Sequence, residues 1–172
     1  MSRVPIWPNF FIVGVAKAGT TSLSEWLKQH PQIYIPAIKE PHYFASDLVD
    51  PIVRNVVRTK EDYLALFAKA RNYKARGEAS TSYFTHWKQV PERIKATIPD
   101  ARIIILLRDP IERAYSSYLM LVRQGYENLP FVEAVRSGRF SSWYRVTYTQ
   151  PLKKYIEVFG RENILGADVR GS

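Results

Sequence analysis

The chain has 172 residues, enough for about one domain with a single core, and an apolar content of 46% excludes a disordered or purely solvating polypeptide. The absence of cysteine excludes disulfides, thiolate nucleophiles and cysteine zinc sites. Twenty-five Lys and Arg against 16 Asp and Glu leave a net charge of +9, which favours an anionic partner without choosing among a phosphorylated cofactor, a polyanion, nucleic acid or a membrane surface.

Residues 1–5 lead straight into the first apolar run, and no run is long enough for a signal core or a membrane span, so a cytoplasmic protein is expected. Residues 10–13 (Phe-Phe-Ile-Val) predict a strand. It is followed by Gly14-Val15-Ala16-Lys17-Ala18-Gly19-Thr20-Thr21-Ser22 and then by Leu23, Trp26 and Leu27 at helical spacing, a helix that stops before Pro31. A glycine-framed loop entering a helix presents free amides and the positive end of the macrodipole, which suits phosphate; the bland alternative is a mere tight connection. In nucleotide hydrolases a lysine directly follows the second glycine. Thr20 stands there instead, and Lys17 lies inside the loop, which argues for a phosphate-bearing donor rather than for ATP with its metal.

Next comes Ile38-Lys39-Glu40-Pro41-His42-Tyr43-Phe44. Pro41 predicts an extended Glu40, and residues two apart on an extended chain share a side, so Glu40 and His42 are expected to face one substrate. The three histidines, His30, His42 and His86, lack metal-ligand spacing, and no metal site is expected. A capping pattern at residues 59–62 with Tyr63, Leu66, Phe67 and Ala70 behind it predicts a second helix. Residues 76–84 read as a short strand entering a polar loop, and Pro91 opens a helix that ends near Pro99.

Residues 102–107 (Arg-Ile-Ile-Ile-Leu-Leu) form the clearest strand, an unbroken apolar run typical of a parallel strand covered on both faces. Arg108 at its carboxyl end is placed to bind an anion bidentately. Asp109, Pro110 and Glu112 start a helix over about 110–124, with Asp109 a cap rather than a catalyst. Ile111, Ala114, Tyr115, Tyr118 and Val122 are its expected buried stripe, leaving Arg113 and Ser116 on another face. Helices near 130–136 and 151–159 and a strand at 163–166 complete the chain. The alternation predicts an α/β fold, an open parallel sheet flanked by helices with ligands at the carboxyl ends of its strands.

Taken together, G-x-x-K-x-G-T-T-S-L after the first strand and R-D-P-x-x-R-A-Y-S-S-Y after a central one resemble the sulfotransferases that use 3′-phosphoadenosine 5′-phosphosulfate (PAPS), over about residues 9–166, in their bacterial and heparan-sulfate-type branch. The resemblance implies that Lys17, Ala18, Gly19, Thr20, Thr21 and Ser22 bind the 5′-phosphosulfate and that Arg108 and Ser116 bind the 3′-phosphate. Residues 40–44 are similar to the family's E-x-H-F-F element, whose glutamate is the base. Glu40 is thus the expected base, with His42 as helper or alternative, and Lys17 the electrophile at the leaving phosphate. Lys39, Glu78 and Ser80 are expected on the acceptor side. Residues 77–84 resemble the family's G-E-K-S-P-x-Y-F segment, but Ala79 replaces its lysine and Thr81 its proline, which weakens the case for a sulfated polysaccharide acceptor.

The expected reaction is therefore sulfuryl transfer to a hydroxyl or amine of a small molecule or carbohydrate, in a single domain over residues 1–172 that lacks the C-terminal part of the family fold. The alternatives are a catalytically incomplete binding module and a P-loop nucleotide kinase; Lys17's position and the want of a strand-terminal aspartate for magnesium count against the kinase. Trp26, Tyr115 and Tyr118 fall on apolar helix faces and read as core, which counts against nucleic-acid stacking.

Overall fold

The computed structural model describes residues 5–51, 53–139 and 147–169. β1 (Phe10–Gly14) is buried along its whole length, and it runs through the loop into α1 (Thr20–Lys28). Then follow β2 (Ile33–Tyr34), a 3₁₀ turn at Tyr43–Ala45, α2 (Lys60–Ala65), β3 (Ala75–Ala79), α3 (Ser82–Thr85) and α4 (Val90–Thr97). β4 (Arg102–Arg108), α5 (Pro110–Arg123), α6 (Phe131–Ser137), α7 (Thr149–Phe159) and β5 (Ile164–Val169) close the order. Among the described residues no helix is long and apolar enough to cross a membrane.

The five strands form one sheet in the order β2-β3-β1-β4-β5, and every pair is parallel, as the strand–helix alternation predicts. The chain leaves β1 toward one edge and β4 toward the other, so the carboxyl ends of these neighbours frame the crevice where open α/β sheets bind ligands. Two backbone bonds tie the crevice floor together: Val15 N–H donates to Leu106 O at 2.8 Å, and Ser80 N–H to Ile12 O at 3.1 Å.

Both expected helix caps form. Thr59 accepts from Asp62 N–H, and Asp109 accepts from both Ile111 and Glu112 N–H, leaving Asp109 a structural cap. The Tyr63, Phe67 and Ala70 stripe is fully buried, although the helix itself ends at Ala65 and continues as turns. β2 is too short to leave a periodic signature and was not expected.

The buried face of α5 differs from its apolar stripe. Arg113, Ala114, Ser117 and Leu121 are buried, whereas Ile111 is 73% exposed and Tyr115 and Val122 are also exposed. The small Ala114 sits with Leu121 and Ala134 in the contact between α5 and α6, and the Tyr148 hydroxyl supplies a polar partner for the Arg113 guanidinium. Trp26 is likewise 71% exposed, because α1 buries Thr20 and Ser24. Periodicity thus located both helices and part of each packed side, Leu23 and Leu27 on α1 and Ala114 and Tyr118 on α5, but misassigned Trp26, Ile111, Tyr115 and Val122.

Candidate functional site

The loop after β1 is shaped by left-handed residues. Lys17 has φ 70° and Gly19 φ 82°, the latter immediately before α1, where a side chain would be strained. The first α1 bond of i to i−4 type runs from Leu23 N–H to Gly19 O, so the amides of residues 19–22 precede the helical ladder, and no side chain caps them. Thr21 and Ser22 are exposed at this end. Ala18 and Thr20 are buried, and the Ala18 amide is turned inward to Val15 O at 3.2 Å. The Ala18 amide, expected to bind the anion, is thus engaged within the loop in this structure.

Cations converge there. Arg108, at the end of β4, donates from Nη1 to the Lys17 carbonyl at 3.3 Å and from Nε to Glu112 at 3.2 Å, and its own carbonyl accepts from the Tyr148 hydroxyl at 2.8 Å. Lys39 Nζ bonds the Thr21 hydroxyl. Burial, then Arg123, Arg108 and Lys39, push the Lys17 ammonium below its ordinary pKa. An anion in their midst would relieve that repulsion. Ser116 is half-buried on α5, while Arg113, expected beside it, is turned into the core.

The segment after β2 brings in the carboxylate. Glu40 and His42 both adopt the left-handed region, with φ 56° and 53°, so the extended conformation expected from Pro41 is not formed. The cause is tertiary: Glu40 N–H donates to Ala79 O at 3.1 Å and His42 N–H to Ser80 Oγ at 3.1 Å, fastening the segment to the end of β3. The two side chains nonetheless meet, with His42 Nε2 3.8 Å from Glu40 Oε2.

Thr81 grips the Glu40 carboxylate, its amide 2.8 Å from Oε2 and its hydroxyl 3.2 Å from both oxygens. Lys39 Nζ stands 3.7 Å from Oε1. Burial raises the Glu40 pKa above the usual carboxylate range, and the bonds from Thr81 and the charge of Lys39 oppose it. His42 is pushed down to about 4 by burial and by His86, so its ring is neutral at physiological pH, with Nδ1 2.7 Å from Ser82 Oγ.

Two expected acceptor contacts lie elsewhere. Glu78, on β3, and Ser80, just past its end, are fully buried, so neither side chain presents itself at the surface where an acceptor would enter. Thr81, Ser82 and Arg123 join the site although their residue types alone did not single them out. The polar run at 80–82, directly past the carboxyl end of a parallel strand, is the signal that could have found the first two.

A central parallel strand that runs into a lysine-bearing loop, beside an arginine at the end of its neighbour, defines an α/β protein of P-loop-like kind. Its family follows from comparison with known proteins: residues 8–165 match the model described as the sulfotransferase domain, and the chain belongs to that family. It is 33% identical over 157 residues to human carbohydrate sulfotransferase 15, with 68% of this chain and 28% of the relative covered. To human heparan sulfate glucosamine 3-O-sulfotransferase 6 it is 34% identical over 112 residues, covering 65% of this chain and 30% of the relative.

A further relative, membrane-associated sulfotransferase kil1 of Dictyostelium discoideum, is 36% identical over 111 residues, with 64% of this chain and 22% of that protein covered. The chain thus spans less than a third of the length of these curated relatives. Among solved structures, a sulfotransferase from Alicyclobacillus acidocaldarius superposes with TM-score 0.84 at 37% identity, covering 95% of this chain and 73% of that one. The sulfotransferase domain from the curacin biosynthetic pathway, at 15% identity and TM-score 0.64 over 98% of this chain and 68% of that one, shares the fold.

Proposed function

We propose that this chain, acting as one domain, transfers a sulfuryl group from PAPS to a hydroxyl, or an amine, of a carbohydrate or smaller acceptor. The observation that carries the reading is the position of Lys39, whose ammonium bonds Thr21 of the loop and stands 3.7 Å from the Glu40 carboxylate. An anion site and a base are thereby within reach of one side chain, as in-line transfer requires.

The residues fit a doubly anionic donor. Lys17, Gly19, Thr20, Thr21 and Ser22 would hold its 5′-phosphosulfate against the uncapped start of α1, and Arg108 with Ser116 its 3′-phosphate. When bound, the donor supplies the sulfuryl group and a phosphate leaving group. Lys17 offsets negative charge at the end of the loop. Glu40, fixed by Thr81 and raised in pKa by burial, accepts the acceptor's hydroxyl proton at Oε1 or Oε2. His42, neutral and 3.8 Å from Oε2, stands beside that carboxylate as helper or alternative base. Names of relatives such as carbohydrate sulfotransferase 15 support a carbohydrate acceptor.

The test is thermal shift with adenosine 3′,5′-bisphosphate (PAP) or ATP, each with magnesium and with chelator. Stabilisation by PAP that ignores magnesium supports the reading through mass action. Larger, magnesium-dependent stabilisation by ATP moves the assignment to a nucleotide kinase.

A further inference from the structure

Glu78 is a buried acid that the proposed chemistry leaves without a task. It lies on β3 at 1% exposure, and among the described residues neither carboxyl oxygen closes a hydrogen bond of standard geometry, nor does the buried Tyr63 hydroxyl. The groups that face it are Tyr63 from α2, Tyr83 from α3, Ser80 just past the end of its own strand and Glu40 from the segment after β2. No cation is among them, and an ionised carboxylate at this depth without one is strongly unfavourable.

Two of these neighbours hold the backbone that carries the candidate base. Ser80 Oγ accepts from His42 N–H at 3.1 Å, and the Tyr83 hydroxyl accepts from Phe44 N–H at 3.2 Å. Each hydroxyl oxygen thus accepts from an amide, and its own hydrogen is left to donate to a further acceptor. The Glu78 carboxyl, two residues before Ser80 and buried with both oxygens open, is the neighbouring acceptor to which those hydroxyls can turn.

We propose that Glu78 is a positioning residue for Glu40, which as a neutral acid orients the two hydroxyls that pin the backbone of residues 42–44. The inference rests on the reading of Glu40 as base. Burial pushes the Glu78 carboxyl up to about 8, so it stays protonated in the neutral range and releases its proton in the mildly alkaline one. That release places a negative charge behind Glu40 and breaks the alignment.

Glu78→Gln mimics the neutral acid and cannot ionise, whereas Glu78→Ala leaves the hydroxyls without a partner. The infrared difference between wild type and E78Q at neutral pH is expected to show the C=O stretch of a protonated carboxyl, which fades above about pH 8. Because the folded pKa is raised, the unfolded chain gives up this proton first. Wild-type melting temperature should therefore fall relative to E78Q as pH rises from the ordinary 4.5 to about 8, and run parallel above it.

In PAPS-dependent turnover the wild type should lose activity above that pH while E78Q keeps it. E78A should drop turnover by roughly a hundredfold, the scale of a catalytic group displaced by an ångström, and E78Q should restore it. No carboxyl band together with parallel melting curves, or equal impairment of E78Q and E78A, overturns the proposal. Full turnover in Glu40→Gln removes the base that Glu78 is held to position, yet leaves the band and the melting difference in place, so the two failures are distinguishable.

Discussion

Replacing Arg108 by alanine isolates the cation at the end of β4. Its Nη1 already points at the Lys17 carbonyl, 3.3 Å away, so the guanidinium is oriented toward the loop before any ligand arrives. A hydrogen bond from a charged group is worth about 1.5–3 kcal/mol, and about 1.4 kcal/mol is tenfold in affinity, which brackets the loss at roughly ten- to a hundredfold. Two features of the site favour the lower end. The side chain is 31% exposed, which admits solvent screening, and Glu112 at 3.2 Å competes with a phosphate for the same guanidinium. Calorimetry with PAP should accordingly show R108A weakened by about tenfold, with a melting temperature close to wild type. Glu112→Gln should shift affinity the other way by about twofold, since exposed i,i+4 pairs are worth about 0.3–0.5 kcal/mol. Unchanged PAP affinity in a folded R108A would refute the placement of Arg108 in the donor site.

The remaining predictions concern the base, the loop and the sheet. Turnover should rise with pH through a midpoint above the ordinary carboxylate range, because Glu40 must be ionised to take a proton and burial raises its pKa; Glu40→Gln should remove that limb and cost about 10²–10⁴ in rate while sparing PAP affinity. Lys17→Met should raise the melting temperature of the ligand-free protein and weaken PAP binding, since burial and the charges of Arg123, Arg108 and Lys39 all disfavour its ammonium; a lower melting temperature would contradict the mutual repulsion of these cations. Gly77→Ala places a methyl group against the Phe10 ring across the β1–β3 pair and should cost about 1–3 kcal/mol in denaturant unfolding.

How far the sequence disclosed this molecule depends on whether a feature is local. The β1 loop and α1, the Asp109 and Thr59 caps and the β4 run were legible because their signals lie within a few adjacent residues. The full extent of the buried side of α5 was not, because it is decided by what packs against it: Ala134 across the helix contact and Tyr148, 35 residues beyond Arg113, draw in a face that the apolar pattern assigns to solvent. The meeting of Glu40 and His42 was expected for the wrong reason. Pro41 does not hold the segment extended; Ala79 and Ser80, remote in sequence, fold it into two left-handed residues that still bring the side chains together. The grip of Thr81 on Glu40 is illegible in the sequence for the same cause, since its bond to Glu40 spans 41 positions of the chain.

The central claim, sulfuryl transfer with Glu40 as base, is tested most directly by mass spectrometry of carbohydrate acceptors incubated with the chain, PAPS and chelator. A mass gain of one sulfuryl group with the wild type, abolished in a Glu40→Gln variant that still binds PAP, is the result predicted. An acceptor that gains the same group with Glu40→Gln at the wild-type rate, or that is modified only when ATP and magnesium replace PAPS, contradicts it.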